Sequence, residues 1–199
     1  MFVRPLTYVL VLALLLVFAA PAGAFDGKRK GFVLGVGLGP GLSSYTQELS
    51  VSGLGSAASS RETKVGVSTD FRIGFGPTEQ VLVVYDNKVT WIPFDNAIGN
   101  HVTIADGISS LSVSYYLAQS APSGFLTGGL GAAGWSAPFE SNSSGSIGLG
   151  MFVGGGYEFT KLWNLEGSLG YGSPSDTQQG VKLTTNTITF RVTINALWH

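Results

Sequence analysis

Residues 184–198 alternate with a period of two. Ile188, Phe190, Val192, Ile194, Ala196 and Trp198 fall on one side, and Thr185, Thr187, Thr189, Arg191, Thr193 and Asn195 on the other. A helix would scatter both sets around its circumference, so the spacing predicts a β-strand with one apolar and one polar face. Residues 64–75 repeat the design, with Val65, Val67, Phe71, Ile73 and Phe75 opposite Lys64, Gly66, Ser68, Asp70, Arg72 and Gly74. Glycine fills one face of the same pattern at 32–39 and 147–159, and serine does so at 111–117. The chain therefore predicts eight strands, at about 31–45, 63–75, 80–92, 108–118, 124–135, 147–159, 164–172 and 184–198. The alternation in 80–92 and 124–135 is less regular and leaves their facing open. Connections near 76–79, 119–123 and 160–163 are short; those near 46–62, 93–107, 136–146 and 173–183 are longer and rich in Ser, Gly, Asn or Pro. Alternating short turns and long loops predict an up-and-down antiparallel order with both termini at the short-turn end.

Composition decides which face meets which solvent. Only 12% of residues are charged, against about 25% in ordinary soluble domains. A soluble barrel with its apolar side inward would cover its outside with long charged side chains. Here the polar faces are mostly Gly, Ser and Thr, which suit a narrow lumen. Residues 1–24 have the build of a cleaved signal peptide: Arg4, an apolar run at 6–20, and Ala22-Gly23-Ala24 before the cut. No apolar run long enough to span a bilayer as a helix follows Ala24, so a mature chain 25–199 that meets lipid must do so as a closed barrel. The expected fold is all-β, an eight-stranded antiparallel up-and-down transmembrane β-barrel exported to the bacterial outer membrane. Aromatics fit two interfacial belts, with Phe32, Phe75, Tyr115, Phe125, Phe159, Trp163 and Trp198 near the periplasmic rim and Tyr45, Trp91, Trp135 and Tyr171 near the outer one.

Four stretches carry a family resemblance. They are Lys-Gly-Phe-Val-Leu-Gly-Val-Gly-Leu-Gly at 30–39, Val-Ser-Tyr-Tyr-Leu at 113–117, Thr-Gly-Gly-Leu-Gly at 127–131 and Gly-Gly-Gly-Tyr-Glu-Phe at 154–159. In these the mature chain resembles small outer-membrane β-barrel proteins of the OmpA-like and OmpX-like type. The resemblance implies outer-membrane lipid as the surrounding partner. It also implies recognition by the barrel assembly machinery through the C-terminal strand, an alternating strand that here ends on Trp198 with His199 after it. These are barrel-strand motifs and carry no activity.

The remaining chemistry is charge. With the facing above, Lys64, Arg72, Lys88 and Arg191 point inward together with Asp70, Asp86, Glu158 and Glu166. Buried charge is costly unless paired, so a balanced set predicts an internal salt-bridge network rather than a channel lining. No catalytic, cofactor or metal site is expected. The chain has no Cys and two His, and a net charge of −1 removes the electrostatic case for nucleic acid. Barrel enzymes of the lipid A deacylase type show a His-x-Ser-Asn pattern, whereas His101 stands in Gly99-Asn100-His101-Val102-Thr103. The glycine runs lack the helix start and the Lys-Ser/Thr of a phosphate loop, and the sequon Asn142-Ser143-Ser144 is expected to be idle. The expected function is a structural or surface-interaction barrel. Binding or transport of a small hydrophobic or lipid ligand and modification of lipid A are the alternatives.

Overall fold

The computed structural model of the chain describes residues 28–51, 55–95, 101–140, 145–178 and 180–199. The expected signal peptide and the sequon lie outside them. The strands are β1 (Gly31–Val51), β2 (Gly55–Ala58), β3 (Glu62–Gly76), β4 (Val81–Asp95), β5 (His101–Tyr116), β6 (Ser123–Ser136), β7 (Ser146–Glu158), β8 (Trp163–Gln178) and β9 (Val181–Trp198). All pairings are antiparallel, and β1 pairs with β9, so the sheet closes on itself. β2 lies beyond β3 along the same edge of β1, pairing Val51 with Gly55 where β3 pairs Tyr45 with Glu62. The nine strands are thus eight staves of an up-and-down barrel, as the alternation predicts.

Burial is inverted relative to a water-soluble domain. Phe71, Leu111, Leu130, Leu149, Val153, Leu169 and Phe190 are exposed, while most buried side chains are polar or charged. An apolar exterior and a polar interior are the arrangement that lipid demands of a barrel. The two open facings resolve here. Leu82, Val84, Asp86, Lys88, Thr90 and Ile92 of β4 turn inward, as do Ser123, Phe125, Thr127 and Ala133 of β6.

Turns at 77–80, 117–122 and 159–162 share one end with Gly31 and Trp198. Threonine holds two of them: Thr78 Oγ1 accepts from the backbone N–H of Val81 at 3.1 Å, and Thr160 Oγ1 from that of Trp163 at 3.0 Å. At the opposite end three expected loops are in good part strand among the described residues. β1 runs on through Val51, β4 and β5 extend to Asp95 and His101, and β8 and β9 meet with Gln178 paired to Val181. Gly180, at φ +81°, supplies the left-handed residue that this tight connection needs. The hairpins are therefore longer than the roughly 9–11 residues that cross a bilayer, and they project beyond it.

The aromatic belts need correction. Phe32, Phe75, Tyr115, Phe159 and Trp163 do face outward near the short turns, but Phe125 is buried in the lumen. Tyr45 also turns inward, and its ring packs 5.0 Å from that of Trp135 and 5.9 Å from that of Phe94. The β3–β4 ladder stops at Val67 and Trp91, although β4 stays paired with β5 up to Asp95. Lys64 and Phe94 face each other across that unladdered stretch, with Lys64 Nζ 5.2 Å from the ring centroid.

Candidate functional site

The lumen is filled in layers, and its centre is ionic. The β3–β4 register sets Asp70 opposite Lys88 and Arg72 opposite Asp86, so two oppositely charged pairs meet on the inner face of one hairpin. Glu166 of β8 reaches them from across the barrel. Arg72 Nη2 donates to Asp70 Oδ2 at 3.0 Å and to Glu166 Oε2 at 2.7 Å, and its Nε lies 3.2 Å from Asp86 Oδ2. Lys88 Nζ donates to Asp70 Oδ2 at 2.8 Å and Glu166 Oε1 at 2.7 Å, with Asp86 Oδ2 at 3.5 Å. Each of the two cations thus touches the same three carboxylates. All five side chains are at most 5% exposed.

Five of the eight residues expected in a network form this cluster. The other three stand at different heights. Glu158 lies at the short-turn end, where it pairs with Arg29. Arg191 is buried above the cluster, donating Nε to Thr90 Oγ1 at 3.0 Å and Nη2 to the Asp106 carbonyl at 3.4 Å. Lys64 is not in the network at all; its side chain is 42% exposed at the far mouth, 4.0 Å from Glu62. Alternation gives the side of the wall, whereas tilt and register give the height, and inward residues on different staves need not meet.

Two participants have no place in the sequence-based set. Asp106 is buried, and its Oδ2 accepts from Ser43 Oγ at 2.6 Å and Thr189 Oγ1 at 2.5 Å. It falls in a segment read as loop, yet it keeps the phase of Ile108 and Ser110, and that continuity is the signal that could have found it. Arg29 precedes the first strand and had no such signal. Its guanidinium lies 3.9 Å from the Tyr116 ring centroid and donates Nη1 to the carbonyls of Glu79 and Ala118, each at 2.8 Å. Val33, Leu82, Val84, Tyr116, Phe125 and Leu197 pack into an apolar layer at the same end. His199, buried at the other terminus, brings Nε2 to 3.8 Å from Glu158 Oε1.

Glu158 therefore meets both ends of the described chain. Glu158→Ala would leave Arg29 without its carboxylate but with two carbonyls and the Tyr116 ring, a loss of about 1–3 kcal/mol. The expected result is a lower urea midpoint for the folded barrel, measured by gel mobility without heating. An unchanged midpoint would show that the terminal layer adds no stability.

Side chains of the described residues thus fill the lumen at three levels. His101, the histidine weighed for the lipid A-modifying alternative, opens β5 opposite Asp95 at the far mouth. Residues 103–198 match the model of the family described as outer membrane protein beta-barrel domain. No curated protein sequence matches the chain. Among solved structures, the chain is similar to the outer membrane protein OprG from Pseudomonas aeruginosa, at 12% identity and a TM-score of 0.51 over 88% of this chain and 99% of that one. It is also similar to Neisserial surface protein A, at 17% identity and a TM-score of 0.48 over 85% and 97%. Residues 103–198 thus match the outer membrane protein beta-barrel domain, and the chain as a whole shares the fold of a small outer-membrane β-barrel protein.

Proposed function

We propose that this protein is a non-conducting surface barrel, exported with loss of residues 1–24 and held in outer-membrane lipid. Its projecting hairpins would do the interacting, and it is not an enzyme. The single observation that supports this reading is the closed lumen. Arg29, Tyr116 and Phe125 fill the short-turn end, and the Arg72–Lys88 cluster with its three carboxylates fills the centre. An eight-stranded barrel has room for little besides its own side chains. Polar residues on the long hairpins, among them Ser56, Ser59, Thr177 and Lys182, stand where the medium can reach them.

Reconstitution in planar bilayers tests the reading. Folded protein, checked by heat-modifiable gel mobility, is expected to give no regular conductance steps. A reproducible open level would overturn the non-conducting part. Incubation with labelled lipid A is expected to leave it intact, and turnover abolished by His101→Ala would overturn the non-enzymatic part.

A further inference from the structure

The mouth opposite the short turns holds a cavity of about 180 Å³ above the charged layers. Its walls combine Trp135, Ile104 and Leu183 with Asp176, Gln47 and Thr185. The indole is braced from behind by Tyr45, whose hydroxyl donates to Glu62 Oε2 at 2.7 Å. Asp176 is half-buried at the rim. One of its oxygens accepts from the backbone N–H of Thr177 at 2.8 Å and the other from Gln178 Nε2 at 2.8 Å. A carboxylate can accept about four hydrogen bonds, so both oxygens keep capacity. No lysine or arginine among the described residues forms an ion pair with it.

We propose that this cavity binds a small organic cation, an ammonium group on a compact apolar body. The ammonium sits between the Asp176 carboxylate and the Trp135 face, and the body lies against Ile104 and Leu183. Three observations point to this class. Among the described inward charges at this end Glu62 is offset by Lys64 and Asp106 by Arg191, which leaves the Asp176 carboxylate uncompensated, so the local field favours a cation. Lys64 already lies over the Phe94 ring with Glu62 beside it, so the same mouth holds a cation between a ring and a carboxylate from within the chain. A neutral apolar guest would desolvate Asp176 with nothing in return, and an anion would be repelled. The volume suits one ring or a few alkyl groups.

The test is calorimetric titration of the full folded barrel in a non-ionic detergent. Benzyltrimethylammonium is the probe, with benzyl alcohol and benzoate as neutral and anionic counterparts of similar shape. The ammonium is expected to bind saturably at one site and to weaken with added salt, while neither counterpart binds comparably. Asp176→Asn is expected to weaken it about tenfold, and Trp135→Leu by a similar factor. If Trp135→Leu does not fold, because Tyr45 loses its packing partner, Asp176→Asn decides alone. Absence of binding, equal binding of all three probes, or an affinity indifferent to Asp176→Asn overturns the proposal. Binding is measured independently of conductance, so failure here leaves the closed-lumen reading standing.

Discussion

Arg72→Met is expected to cost the barrel about 3–5 kcal/mol of stability, one of the two largest effects we anticipate from a single substitution. The Arg72 guanidinium touches Asp70, Asp86 and Glu166, each at 3.2 Å or less. Without it, Lys88 alone would face all three carboxylates in a site closed to solvent. The desolvation cost of those carboxylates remains while half of the compensating charge disappears. Removing the directly opposite carboxylate at the same time should recover part of the loss. In a double-mutant cycle, Arg72→Met with Asp86→Leu is expected to show a coupling of about 0.5–3 kcal/mol. Urea titration of the folded protein in lipid vesicles, followed by tryptophan emission, measures both. Equal stability of wild type and Arg72→Met would show that the cluster is solvated and does not hold the barrel together.

Gly39→Ala is expected to be as severe for a different reason. A Cβ on Gly39 would fall inside the contact distance of the Val192 carbonyl oxygen and of Thr193 Cα. These are backbone atoms of β9, which cannot rotate out of the way as a side chain can. They also lie at the β1–β9 seam, where the ladder already skips Gly39 and Pro40 because proline has no N–H to donate. Forcing the seam apart should cost more than the about 1–3 kcal/mol of ordinary overpacking and prevent closure. Gly167→Ala is the control, since nothing lies within 4 Å of a Cβ built there. It should be neutral or stabilise by about 0.5–1 kcal/mol. The fraction of each variant reaching the fast-migrating folded form in an unheated gel is the measurement, and parity between the two would refute the close-approach argument.

The closed cluster illustrates where sequence reasoning ended. Alternation placed Asp70, Arg72, Asp86, Lys88, Glu158, Glu166 and Arg191 on the inner face, and each is buried. It also placed Lys64 there, and Lys64 does share their phase, but it stands at the mouth. Period two carries no information about height. That comes from the register of each hairpin, which pairs 70 with 88 and 72 with 86 only because the β3–β4 turn occupies 77–80. The missed hairpin ends have a related cause. Ser, Gly, Asn and Pro at 93–107 and 173–183 read as loop, but strands that project past the bilayer have no lipid to select apolar residues, so their alternation fades while their ladders persist.

What the sequence determined by itself was the fold class, the eight staves and the orientation of the wall. Lipid outside and a narrow lumen inside impose a two-residue period that survives in nearly every stave. What only the tertiary structure decided was which charges meet, that Arg29 and Asp106 join them, and that Tyr45 and Trp135 line a mouth rather than a belt. These are contacts between residues on separate staves, from Arg29 and Glu158 to Arg72 and Glu166. Long-range pairing is set by shear and closure of the whole sheet, and no local pattern encodes it.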